Sequence, residues 1–211
     1  MSSLSHLPKP KNFVLAGISG SGKSTVGRHL SVLLGFGFLD LDSLIESLAR
    51  KKVTEIFLQE GEDAFRNYER QALETASQVK SHVVALGGGA LQDPNCLRIA
   101  KSIGPLIWLK PSADEIARRL YMKVTELEKR PLFKEMIMIE NKDERREAIK
   151  RKILSLTDSR SENYQNADII LDGGFVTPET SACQLKDILH SMDLLGPREN
   201  SFGIVKPIEN G

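Results

Sequence analysis

The stretch GISGSGKST, Gly17 to Thr25, limits what this chain can fold into more than any other segment. It follows the apolar run Phe13-Val14-Leu15-Ala16. It precedes a helical pattern with Val26, Leu30, Leu33 and Leu34 on one face and Gly35 at its end. Gly17 to Ser24 match G-x-x-x-x-G-K-[ST] at every fixed position. A strand that turns through such a loop into a helix aims backbone N–H groups at one phosphate. Glycine is needed because a side chain blocks that approach and because some loop positions take positive φ. Lys23 brings a mobile charge to the β- and γ-phosphates, and the Ser24 hydroxyl suits Mg²⁺. A chance Gly/Ser turn does not account for a strand before and a helix after. The loop therefore predicts a nucleoside triphosphate with Mg²⁺, held by Gly17, Ser19, Gly20, Ser21, Gly22, Lys23, Ser24 and Thr25. It leaves the acceptor open, because kinases, GTPases and motor ATPases share it.

Five short apolar runs read as strands: 13–18, 36–40, 82–87, 105–110 and 168–172. Most lack a polar face, as strands covered on both sides do. Helical patterns fill the gaps. One starts near Asp42 with Leu44, Ile45, Leu48 and Ala49 on one face, and a longer one over 61–79 carries Phe65, Tyr68, Ala72, Leu73 and Ala76. Ser112 to Glu115 reads as a capping box, and Thr177 before Pro178 opens a last helix. The alternation predicts one three-layer α/β domain around a parallel sheet, with ligands beyond the C-terminal ends of the strands. The expected boundaries are a flexible leader over 1–11, the domain over 12–195 and a poorly ordered tail over 196–211. The charged stretch 122–147 interrupts the pattern. Two expectations stand for it: a mobile lid over about 120–140, or a solvated helical hairpin.

Charge and cysteine usage exclude several classes. The 29 basic and 28 acidic residues leave a net charge of +1, so no nucleic-acid partner is expected. No apolar run reaches the roughly 20 residues of a membrane span. The first twelve residues, MSSLSHLPKPKN, have no apolar core for a secretory signal and too little Arg for a transit peptide. Cys96 and Cys183 lack metal-ligand spacing, which predicts two buried free thiols in a reducing compartment. The expected location is cytoplasmic.

Four further clusters carry chemistry. Asp40 and Asp42 alternate at the end of the second strand, one able to face a metal and the other a substrate hydroxyl. Asp42 also reads as the N-cap of the next helix, a role that offers no alternative explanation of Asp40. Arg66 has Glu62 at i−4 and Glu69 at i+3, which by spacing alone is an exposed ion-pair face. Gly87, Gly88 and Gly89 end a buried strand, either as a plain turn or so that a ligand can lie against backbone. Arg130 precedes a proline inside the lid candidate and can approach a phosphoryl group; Arg160 can grip a carboxylate bidentately. Either arginine alone reads equally as surface charge.

In order and spacing, these clusters resemble the shikimate kinase family over about residues 12 to 192. The resemblance implies a P-loop kinase fold with a five-stranded parallel sheet in the order 2-3-1-4-5. It implies transfer of the γ-phosphoryl group of ATP to the 3-hydroxyl of shikimate, in the route to aromatic amino acids, by a protein that is commonly monomeric. Residue by residue, it implies that Gly17 to Thr25 hold the ATP phosphates, that Ser24 and Asp40 serve Mg²⁺, and that Asp42 is the base. Arg66 and Arg160 would hold the shikimate carboxylate, Gly87, Gly88 and Gly89 would line its pocket, Arg130 would reach the phosphates, and Arg119 would pack on adenine. Lys23 and Arg130 join Asp42 as catalytic groups. The chain departs from the family where Ala85 and Leu86 replace a hydroxyl residue before the glycines, in a longer lid, and in lacking a proline before Tyr164. The competing expectations are a gluconate kinase, a nucleotide or nucleoside kinase, and a non-enzymatic ATP-binding regulator. The last should have lost Lys23, Asp42 or Arg130, and all three are present.

Overall fold

A computed structural model of the chain describes residues 12–122, 127, 130–173 and 177–195. Five strands form one parallel sheet: β1 (Asn12–Ala16), β2 (Gly37–Asp40), β3 (His82–Ala85), β4 (Leu106–Lys110) and β5 (Ile169–Asp172). Their spatial order is β2-β3-β1-β4-β5, with Phe13 opposite Val83 and Val14 opposite Leu106. This is the order that the resemblance implies.

Successive residues of a strand face opposite sides of a sheet. Val14 and Ala16 enter one core with Val84 and Trp108, whereas Phe13 and Leu15 enter the other with Val83, Ile107 and Leu109. That is why FVLA has no polar position. The second core is closed by α1 (Lys23–Leu34) and α8 (Pro178–Ser191). The first is closed by α2 (Leu41–Ala49), α3 (Val53–Gln59), α4 (Gly61–Ser77), α5 (Pro94–Ile103), α6 (Ala113–Met122) and α7 (Lys142–Tyr164).

The caps fix where these helices start. Gly22 precedes α1 with φ 95° and Gly35 ends it with φ 65°, both costly for a residue with a Cβ. Thr177 Oγ1 accepts from Thr180 N at 3.1 Å, as the sequence predicts. Ser112 Oγ accepts from Glu115 N, while the Glu115 carboxylate is taken up by Arg118 and Arg119. The expected N-cap of α2 is corrected: Asp40, not Asp42, caps it, its Oδ1 accepting from Asp42 N and Ser43 N. Ending the strand at Asp40 and beginning the helix at Leu41 puts Asp42 in the first turn.

Three helices escape the sequence reading. α3 has only seven residues, α5 fills the gap between β3 and β4 where the alternation implied a helix without a segment being assigned to it, and α7 lies partly in the stretch read as lid or hairpin. Asn141 caps α7, accepting from Asp143 N and Glu144 N. Leu127 and Phe133 are fully buried, and a 3-10 segment runs from Pro131 to Met138. This part of the expected lid is anchored in the core; positions 123–126 and 128–129 lie outside the described residues, as do the expected leader and tail. Both cysteines are free, but Cys183 is exposed and only Cys96 is buried. Cys183 sits on the outer face of α8, beyond the stripe of Ala182, Leu185 and Leu189 that packs on the sheet. Among the described residues no helix is long and apolar enough to cross a membrane.

Candidate active site

The site lies where β1, β2 and β3 end. After β1 the chain enters the phosphate loop, where Gly17, Gly20 and Gly22 all have φ between 88° and 144°. Lys23 is 8% exposed, and its Nζ donates to Gly17 O at 2.8 Å and Ile18 O at 3.1 Å. Burial lowers its pKa to about 8, against the pull of Asp42 and Asp40. The ammonium is thus held inside its own loop, where a phosphate would restore its preference for charge.

Ser24 Oγ donates to Asp40 Oδ2 at 2.6 Å. The other oxygen of Asp40 caps α2, so one carboxylate ties the start of α1 to the start of α2. A hydroxyl and a carboxylate oxygen at this spacing are hard oxygen donors of the kind Mg²⁺ takes. Among the described residues no group of three or more His, Cys, Asp or Glu could hold a metal.

Two arginines from the far side of the chain reach the loop. Arg130 Nη1 donates to Ser19 Oγ at 2.6 Å. A Cβ added to Gly22 would lie 3.3 Å from Arg119 Nη1, and Arg119 Nε is fixed by Glu115 Oε1 at 2.7 Å. Thr25 is exposed on the first turn of α1 and Ser21 is buried in the loop.

The turn after β3 gathers the other half. A Cβ on Gly87 would lie 3.0 Å from Glu69 Oε1 and 3.1 Å from Asp42 Oδ1. On Gly88 it would lie 2.9 Å from Ser19 N, and on Gly89 3.3 Å from both terminal nitrogens of Arg66. Arg160 Nη1 and Tyr164 Oη both donate to Gly88 O, at 2.6 and 2.7 Å. Three consecutive glycines therefore touch Asp42, Arg66 and Arg160, which are 118 positions apart at the extremes. Arg160 is 8% exposed and its Nε has no hydrogen-bond partner, a buried donor left for a ligand.

Asp42 keeps access to solvent but is ringed by protein. That partial desolvation, then the charge of Asp40, pushes its carboxyl up, against the pull of Lys23 and Arg130. Arg66 corrects the expected exposed ion-pair face. Its Nη1 donates at 2.7 Å to Glu69, whose side chain is 1% exposed, and only Glu62 on its other side is open to water. Burial pushes the Glu69 carboxyl up while Arg66 holds it down. Sequence reasoning missed Glu69 as a site residue; the i+3 spacing from Arg66 was the available signal, but spacing does not report burial. Burial likewise raises Tyr164 to about 12, so its hydroxyl stays a donor, and its ring stacks on Trp108 at 5.2 Å.

A shikimate kinase family model matches residues 19–189. The chain belongs to the shikimate kinase family. A shikimate kinase from Chlorobium limicola is 43% identical over 155 residues, covering 74% of each chain. One from Chlorobium luteolum is 45% identical over 155 residues, 72% of each. Among solved structures, a shikimate kinase from Acinetobacter baumannii in complex with shikimate aligns with TM-score 0.74 and 30% identity, covering 87% of this chain and 95% of its own. A gluconokinase from Sinorhizobium meliloti aligns at TM-score 0.50 and 19% identity, a likeness of fold alone. Family membership makes the chain an ATP-dependent kinase, with the phosphate loop as its nucleotide-binding segment.

Proposed function

We propose that the protein transfers the γ-phosphoryl group of Mg²⁺-ATP to the 3-hydroxyl of shikimate. The observation that carries the reading is the Gly87–Gly89 turn. It brings one carboxylate and two guanidinium groups together and touches the phosphate loop at Ser19 N. A small acid with ring hydroxyls needs that set: arginines for its carboxylate, an aspartate for a hydroxyl.

In this reading Arg66 and Arg160 anchor the shikimate carboxylate, and Arg160 Nε gains the acceptor it lacks. Glu69 holds Arg66 in place. Asp42 takes the proton of the 3-hydroxyl as that oxygen bonds to the γ-phosphorus and the bond to the ADP oxygen breaks. Its raised pKa suits a base that must receive a proton. Lys23 and Arg130 neutralise the charge on the phosphoryl oxygens, and Arg119 lies beside the loop for the nucleotide. Mg²⁺, bound with the triphosphate and held from the Ser24 and Asp40 side, supplies further neutralisation. Ser24 and Asp40 are the residues that would hold the ion; Ala85 and Leu86, before the glycines, are buried and carry no hydroxyl. We take the working form to be a cytoplasmic monomer.

A coupled ADP-release assay with shikimate, gluconate and nucleoside monophosphates tests the reading. Shikimate is expected to support turnover and the others not. Turnover of gluconate or a nucleotide without shikimate overturns it.

A further inference from the structure

We propose that Ser19 is a positioning residue for phosphoryl transfer, its hydroxyl setting the plane in which Arg130 offers its guanidinium to the phosphates. The inference rests on Arg130 being a phosphate-binding group. Ser19 and Arg130 are 111 residues apart, yet Nη1 meets Oγ at 2.6 Å. Ser19 meets both the acceptor turn, through its backbone N beside Gly88, and this arginine, through its hydroxyl.

Its backbone is braced from two sides. Lys23 Nζ grips the carbonyls of Gly17 and Ile18 immediately before it, and Ser21 N donates to Ile18 O across the turn. The backbone of Gly88 lies so close that an added Cβ would sit 2.9 Å from Ser19 N. A hydroxyl on that backbone is a fixed point. The backbone of Arg130 is held as well, its N donating to Leu127 O at 3.0 Å and its O accepting from Phe133 N at 2.9 Å, but the guanidinium lies at the end of a long side chain with many rotamers. A guanidinium presents five N–H donors in one rigid plane, so a bond at Nη1, with the side chain tethered at its Cα, narrows the orientations open to the rest. Ser19 thereby supplies order that the phosphates would otherwise have to impose during the reaction.

Steady-state kinetics of the full chain with Mg²⁺-ATP and shikimate test this in a double-mutant cycle. Arg130→Ala should lower kcat about a thousandfold. Ser19→Ala should lower kcat about tenfold, the value of one charge-assisted hydrogen bond, and leave the KM for shikimate and the Tm unmoved. Ser19→Thr, which keeps the hydroxyl, should recover most of the loss. In the Arg130→Ala background, Ser19→Ala should cost less than twofold. An equal loss in both backgrounds overturns the proposal, as does an unchanged or raised kcat in Ser19→Ala alone. If Arg130→Ala itself keeps full kcat, the failure belongs to the reading of Arg130 rather than to Ser19.

Discussion

The phosphate loop and the acceptor turn are both glycine-rich, and both leave neighbouring strands, β1 and β3. They use glycine for different reasons. Gly17, Gly20 and Gly22 take φ values that L side chains rarely adopt, and a Cβ on Gly17 or Gly20 would in addition press on Leu109 O at 2.6 Å or Ile116 Cγ2 at 2.9 Å. None of Gly87, Gly88 and Gly89 does. What they need is room, because a Cβ at each would press on Asp42 and Glu69, on Ser19 N, or on Arg66. Conformation is a local demand and produces a local motif. Room is demanded by residues brought in from elsewhere in the chain. The core of the donor half is thus one contiguous segment, to which folding adds Asp40, Arg119 and Arg130, whereas the acceptor half exists only once the chain is folded.

The comparison predicts that the two halves fail separately. Asp42→Asn should have the largest effect: kcat falls about a thousandfold, the scale of a lost general base, while ATP binding measured by titration is unchanged. A variant that loses ATP affinity in step with kcat would place Asp42 in the donor half instead. Arg160→Ala comes next. Losing a buried charged hydrogen bond costs about 2 kcal/mol or more, so the shikimate KM should rise at least about thirtyfold with the ATP KM unmoved. Steady-state kinetics with each substrate varied in turn decide it. Equal shifts in both KM values would erase the division.

The same division explains what could be read in the sequence. The sheet was legible because its central strands β1, β3 and β4 are buried on both faces, which leaves runs such as FVLA and LIWLK without polar gaps. Eight consecutive positions of the phosphate loop revealed its role before any fold was known. Asp42, Arg66 and Arg160 were individually ambiguous, the first also readable as a helix cap and the others as surface charge, and only the likeness to a family in order and spacing tied them together. Asp40 shows the limit most clearly. Asp40 and Asp42 are equally good caps by composition, and which one caps depends on the residue at which β2 stops. Glu69 was passed over because a Glu at i+3 from an arginine is ordinary on a helix surface, and its burial beside Gly87 belongs to the packed structure.

Glycine variants probe the seam between the halves and should have smaller effects. Gly88→Ala presses on the backbone of Ser19, which cannot move without disturbing the loop, so both KM values should rise, by about tenfold each on the scale of an overpacked contact. Gly89→Ala meets only the ends of the Arg66 guanidinium, which can shift by a few tenths of an ångström. It should change the shikimate KM by about threefold or less and spare ATP. A Gly88→Ala enzyme altered for one substrate alone would show that the turn and the loop do not share a wall there.

The smallest expected effect is a pH dependence confined to the donor half. Burial lowers the Lys23 pKa from its ordinary 10.5 to about 8 in the free protein. Between these values the unfolded chain holds more protons than the folded one. The contribution of Lys23 to stability is therefore fully present above about 10.5 and is lost as pH falls through about 8. Function runs the other way, because a phosphate needs the charged ammonium. The kcat/KM for ATP, which reports the free enzyme, should fall about twofold between pH 7 and pH 8 and about tenfold per unit well above that. At saturating ATP the bound phosphates hold the proton on Lys23, so the alkaline fall in kcat should move well above pH 8. Profiles of both quantities against pH check this. A fall near pH 8 that is identical in the two profiles would assign it to a group that ATP does not touch, and would take Lys23 out of the account.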